Sequence, residues 1–154
     1  MLNDSLIPFG KLHIVVRDQF GNIKQDVEVP NTVVNGGKAF IAQSMLKTTT
    51  NSPVAMTHMG IGTGAVAAAV TDTALGTEIG TRQTVTATNT TVTVTNDTAQ
   101  YVATFAAGVG TGAITEAGVF NASTAGTMLC RTVFSVINKG ANDSMTITWR
   151  VTIA

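Results

Sequence analysis

Along most of the chain apolar and polar residues alternate with a period of two, most clearly near the C-terminus. In SMTITWRVTI, Met145, Ile147, Trp149, Val151 and Ile153 fall on one side, and Thr146, Thr148, Arg150 and Thr152 on the other. That is the spacing of a half-buried β-strand, whose successive side chains point to opposite faces. Strand-like runs recur in RQTVTAT, TVTVT, QYVATFAA, AITEAGVF and TMLCRTVFSVI, separated by NT, ND, GVGTG, NASTAG and NKGAND. β-Branched runs divided by turn-forming residues predict strands from Arg82 to the C-terminal end.

The N-terminal part follows the same logic with one interruption. KLHIVVRDQFGNIKQDVEV places Leu12, Ile14 and Val16 on one side of a first run, with Ile23, Val27 and Val29 apolar in a second. A turn between Asp18 and Asn22 makes this a hairpin, which Pro30 ends, and Asn31 to Asn35 forms an extended link. GGKAFIAQSMLK, residues 36–47, is the one stretch with helical spacing, and Phe40, Ile41, Met45 and Leu46 form its predicted apolar stripe. TTTNSP has no hydrophobic period and reads as a surface connection at Pro53. MTHMGIGTGAVAAAV, residues 56–70, reads as a strand running into a long glycine- and alanine-rich loop, followed by a helical turn around Ala74 and Leu75.

Many short antiparallel strands with turns at this interval predict a mainly β fold. The expected architecture is one antiparallel β-sandwich, jelly-roll-like, spanning residues 1–154. It carries a single short helix at residues 36–47 and an extended N-terminal arm over residues 1–10. At 154 residues the chain is long enough to bury one core without staples.

Composition changes the picture at the surface. Nine basic and nine acidic residues give a formal net charge of zero, and charged residues make up only 12% of the chain, about half the usual share. Such a balance favours neither nucleic acid nor an anionic membrane as partner. The 44% of hydrophobic residues supplies enough apolar surface to fold. A surface with so little charge has a weak barrier against association, and it is expected to be covered in part by partners or sister chains. No apolar run approaches the ~20 residues of a membrane helix, and the N-terminus lacks the basic start and apolar stretch of a signal peptide.

The candidate chemistry is sparse. GIGTG, Gly60 to Gly64, has glycines like a phosphate loop but lacks the GK[ST] that opens a helix, and no βαβ unit surrounds it. His13 and His58 are far apart, with no metal-ligand spacing around them, and no GxSxG turn offers a nucleophile. Cys130, the one cysteine, excludes an internal disulfide and reads as a small core residue. No catalytic, cofactor-binding or metal-binding residue, and no small-molecule substrate, is expected.

Glu116 stands out, because a charge inside ITEAGVF shares its predicted face with Ile114, Gly118 and Phe120. A buried carboxylate must be paired or hydrogen-bonded. The expected partners are Arg82 or Arg131, or backbone amides of the glycine-rich loop, in a structural ion pair that locks the strand against register slip. Gly118 is a candidate for a bulge or a close backbone approach.

The ordered series MGIGTG, TDTALGTEI, ITEAGVFNASTAGTMLCRTVF and INKGANDSMTITWRVTI resembles small β-rich structural proteins of tailed bacteriophages. The matching positions are Gly60, Gly62, Thr63, Thr73 to Leu75, Glu78, Arg82, Ile114, Glu116, Gly118 and Phe120. The resemblance covers roughly residues 55–154 and implies a non-enzymatic virion part made in the host cytoplasm. A capsid decoration or cement protein is the first expectation, on the outer head surface, contacting the major capsid protein as a homotrimer. Leu2, Leu6, Ile7, Pro8 and Phe9 of the N-terminal arm are its candidate capsid contacts. A tail, collar or baseplate adaptor is the alternative.

Overall fold

The computed structural model describes residues 7–46 and 52–153. The alternating first run forms β1 (Pro8–Arg17), and the turn at Asp18 leads into β2 (Ile23–Pro30). The Asp18 carboxylate builds that turn, accepting the amides of Phe20 and Asn22. After β3 (Thr32–Val33) comes α1 (Asn35–Leu46), then β4 (His58–Gly62), β5 (Glu78–Thr84), β6 (Thr86–Thr90) and β7 (Thr98–Phe105). The remainder is β8 (Gly112–Phe120), β9 (Met128–Lys139) and β10 (Ser144–Ile153).

These strands make two five-stranded sheets, in the orders β2-β1-β10-β7-β6 and β3-β9-β8-β4-β5. Every paired neighbour is antiparallel. Among the described residues the architecture is a β-sandwich with one short helix, as the alternation predicts. Leu12, Ile14 and Val16 of β1 and Met145, Ile147, Trp149 and Val151 of β10 enter the core from the first sheet. Met59, Ile61, Ala117, Val119 and Cys130 meet them from the second. Full burial of each large apolar side chain contributes about 1.5–3 kcal/mol, so these facing rows hold the sheets together.

The other face of the first sheet is polar and threonine-rich. Thr98 and Thr152 share a hydrogen bond of 2.8 Å, and Thr104 and Thr146 one of 2.9 Å, each between adjacent strands.

Helix α1 lies against β9, with Phe40 and Ile41 packed on the core. Gly37 permits the contact, since a Cβ there would meet the Leu129 carbonyl. The predicted stripe is only half used: Met45 and Leu46 are exposed.

Three expectations are corrected. TVTVT is a turn rather than a strand, because Asp97 draws the amides of Val92, Thr93 and Val94 onto its carboxylate. No helical turn forms at Ala74 and Leu75; that segment is irregular, and Leu75 packs with Val34, Phe120 and Met128. Pro8, Phe9 and Gly10 are not a free arm but begin β1, in register with Ile153, Thr152 and Val151. Ile7 and Phe9 are exposed; Leu2 and Leu6 lie outside the described residues.

Candidate functional site

The shared face predicted for Ile114 and Glu116 does not survive the sheet's geometry. The β8–β9 register shifts between these two residues. Ile114 therefore joins Ala117 and Val119 in the sandwich core, while Phe120 packs in a separate cluster on the other face with Leu75. Glu116 and Gly118 share that second face, which the segment between β4 and β5 covers. The irregularity lies where Thr115 alone faces residues 134–136 of β9, with a second between Val119 and Phe120; Gly118 serves a close approach instead, since a Cβ there would meet Leu75 and the Cys130 carbonyl.

Glu116 is fully buried, and each of its oxygens is engaged. Oε1 accepts the amides of Gly64 at 2.9 Å and Thr77 at 2.7 Å. Oε2 accepts the Gly76 amide at 2.9 Å and two Arg131 donors, Nε at 3.0 Å and Nη2 at 2.8 Å. Desolvation pushes this carboxyl up, but the amides of Thr77 and Gly76, the guanidinium and the Gly64 amide outweigh it and hold the group below its ordinary value.

Arg131 extends the network outward. Its Nη1 donates to Asp72 at 2.7 Å and its Nη2 to the Val66 carbonyl at 3.1 Å. Asp72 in turn accepts the Ala69 amide at 2.8 Å, the largest of the influences that lower its carboxyl. Two glycines of GIGTG are explained by the same contacts, since a Cβ on Gly62 or Gly64 would fall against Glu116 Oε1, while one on Gly60 would meet Glu78 Oε1. The motif is a cradle for a carboxylate of the chain itself.

Arg82 is corrected as a partner of Glu116. It forms a fork on Glu78, with Nε–Oε1 2.6 Å and Nη2–Oε2 3.0 Å, and donates to the carbonyls of Ala122 and Ala125. Its guanidinium carbon stands 3.5 Å from the centroid of the Phe120 ring. Leu75 fills the space between the two ion pairs, close to Gly60 and Gly118. Gly60, Gly62, Leu75, Glu78, Arg82, Glu116, Gly118 and Phe120 thus form one unit. Asp72, which sequence reasoning missed, completes it.

The unit acts on the segment it fixes. Between Gly60 and Thr71 no residue is charged, and the backbone is tied down at Gly64, Val66, Ala69 and Val70, the last by the Asn35 amide at 2.7 Å. The side chains point the other way: Ala65, Val66, Ala67, Ala69 and Val70 are exposed, Val66 at 79%. A buried ionic scaffold anchors the backbone of an exposed apolar loop.

Other candidates lie apart. His13 Nε2 sits 2.6 Å from Asp26 on the first sheet, and His58 Nδ1 lies 2.8 Å from Thr57 Oγ1. Cys130 is wholly buried, and burial pushes its thiol far above the ordinary range. Among the described residues no three His, Cys, Asp or Glu side chains gather as metal ligands. No family model, curated protein or solved structure matches the chain.

Proposed function

We propose that the chain is a non-enzymatic structural protein of a tailed-phage virion, a decoration or cement protein that binds the outer head surface. There it reinforces junctions between major capsid protein subunits. The virion assignment rests on the resemblance of the ordered segments, and the contact role rests on the anchored apolar loop at residues 64–70. A contiguous exposed apolar patch marks an interaction surface, and a preordered one loses little conformational entropy on docking. Glu116 supports the same reading, since a carboxylate sealed from solvent and engaged by amides and a guanidinium is poorly placed to exchange protons with a substrate.

A homotrimer accompanies this proposal, because capsids offer threefold positions and closed symmetry repeats one patch. Ile7 and Phe9 add apolar contacts at the start of β1. Imaging of particles carrying the chain tests the location: decoration places many copies over the head, whereas a collar or tail adaptor places a few at one vertex. Val66→Asp tests the surface. The variant is expected to melt like the parent and to lose binding to heads; undiminished binding would remove the loop from the interface.

A further inference from the structure

Among the described residues the two open sheets present four edge strands, and these are treated very differently. Edges expose unpaired N–H and C=O groups and are normally blunted by charge, proline, bulges or brevity. At one edge of the first sheet, β2 carries Lys24, Asp26 and Glu28 and ends in Pro30. Its charges are engaged within the chain, on Asp143, His13 and Lys11. In the second sheet β3 is only two residues long. β5 is broken by Gly80, whose φ is 65°, and by a register shift against β4.

β6 has none of these protections. It pairs with β7 without a register break from Thr86 to Thr90, and its other side is an edge. Thr86, Ala87, Thr88 and Asn89 are exposed. From Gln83 to Asn96 the chain carries no charge and no proline.

We propose that β6 is a strand-addition site for a second copy of this chain. The two β6 strands run antiparallel across a twofold axis at Thr88, joining the first sheets of both copies into one. The composition favours a like partner, because an uncharged strand meets its own copy without repulsion. The twofold sets Thr88 opposite Thr88, and Thr86 opposite Thr90 of the second copy. Threonine pairs between adjacent strands already recur on this sheet, at Thr98–Thr152 and Thr104–Thr146. Five paired residues fall short of the ~1,000 Å² that a stable interface buries. The exposed Val92 and Val94, directly after β6, supply further apolar surface at each end of the joined strands.

Cysteine cross-linking of the purified full chain tests this geometry. Directly opposed residues in an antiparallel pair have Cα atoms about 4.5–5.5 Å apart, within disulfide reach. Thr88→Cys is expected to give a covalent dimer as the main species on a non-reducing gel under mild oxidation. Thr86→Cys alone is expected to stay monomeric on that gel, because the two copies of residue 86 lie roughly 14 Å apart at 3.4 Å per residue. An equimolar mixture of Thr86→Cys and Thr90→Cys cross-links again. The buried Cys130 keeps the parent chain as a blank.

Equal cross-linking of Thr88→Cys and Thr86→Cys, or none by either, would overturn the proposal. So would association unchanged in light scattering after Ala87→Pro with melting preserved. The twofold contact at β6 is separate from the contact that would close a trimer on the head, and its outcome is read without any virion, so it stands or falls separately from the capsid assignment.

Discussion

Replacing Glu116 by glutamine changes almost no volume and removes one charge, so its cost measures what the carboxylate does. The amide must turn its NH₂ toward one of two donor sets. On the Oε1 side it meets the amides of Gly64 and Thr77; on the Oε2 side it meets the Gly76 amide and the Arg131 guanidinium. Each buried donor left without an acceptor costs about 1–3 kcal/mol. Breaking a buried ion pair from one side costs about 3–5 kcal/mol. These terms overlap, and Asp72 still neutralises the far side of Arg131 at 2.7 Å, so the expected total is about 3–5 kcal/mol rather than their sum.

Against a domain stability of about 5–15 kcal/mol that is a large fraction. With a urea slope near 2 kcal/mol/M, the denaturation midpoint should fall by roughly 2 M. The assay is equilibrium urea unfolding of Glu116→Gln beside the parent, with limited proteolysis of the loop at residues 64–70 as a local readout. A second variant separates the ion pair from the amide cradle. Replacing Glu116 with leucine and Arg131 with methionine removes both charges, an exchange that is often neutral for a simple buried pair. Here it strands the amides of Gly64, Gly76 and Thr77 and should remain destabilising. A loss below about 1 kcal/mol in the glutamine variant would refute the reasoning.

Three further outcomes follow from the same contacts. Gly64→Ala should cost about 1–3 kcal/mol by overpacking against Glu116, read as a lower urea midpoint, because the added Cβ meets a carboxylate that cannot retreat. Glu116 and Asp72 titrate below their ordinary values in the folded chain, so their stabilisation is complete above the unfolded pKa of about 4 and is lost as pH falls through the folded values. The melting temperature should therefore drop on acidification below about pH 5, and less steeply in Glu116→Gln. Arg82→Lys keeps the charge but forfeits the fork on Glu78 and the flat contact with Phe120; thermal melts should show a loss of about 1–2 kcal/mol.

Much of the sandwich was legible because one physical pattern, burial of alternate residues, dominates β1 and β10. Their inward rows, Leu12, Ile14 and Val16 and Met145 to Val151, are the ones alternation selects. Alternation fails where a local hydrogen bond is worth more than a rung of sheet. TVTVT has an ideal strand pattern, yet its amides at Val92 to Val94 turn onto Asp97, with Asn96 in the left-handed region at φ 65°. The Asn-Asp pair was the available signal, read as a separator between strands when it closes a turn reaching back to Val92. The helix shows a related limit: periodicity gave a stripe, but only Phe40 and Ile41 have a neighbour to cover them.

The candidate site divides along the same line. A buried carboxylate implies a cationic or amide partner from composition alone, which brought Arg131 and the glycine-rich loop within reach. Choosing Arg131 over Arg82 required the register, since Arg131 stands opposite Gly118 on β9 while Arg82 is drawn to Glu78, four residues earlier on β5. The register shift between Ile114 and Glu116 then decides more than a partner. It turns Glu116 away from the sandwich core and under the loop, so the charge paired with Arg131 is also the foundation of an exposed surface. Weakening that foundation should release the loop before it separates the sheets. In Glu116→Gln, proteolytic cleavage between Gly64 and Val70 is therefore expected at urea concentrations where the Trp149 fluorescence is still native. Simultaneous loss of both signals would mean that the carboxylate holds the sandwich as a whole.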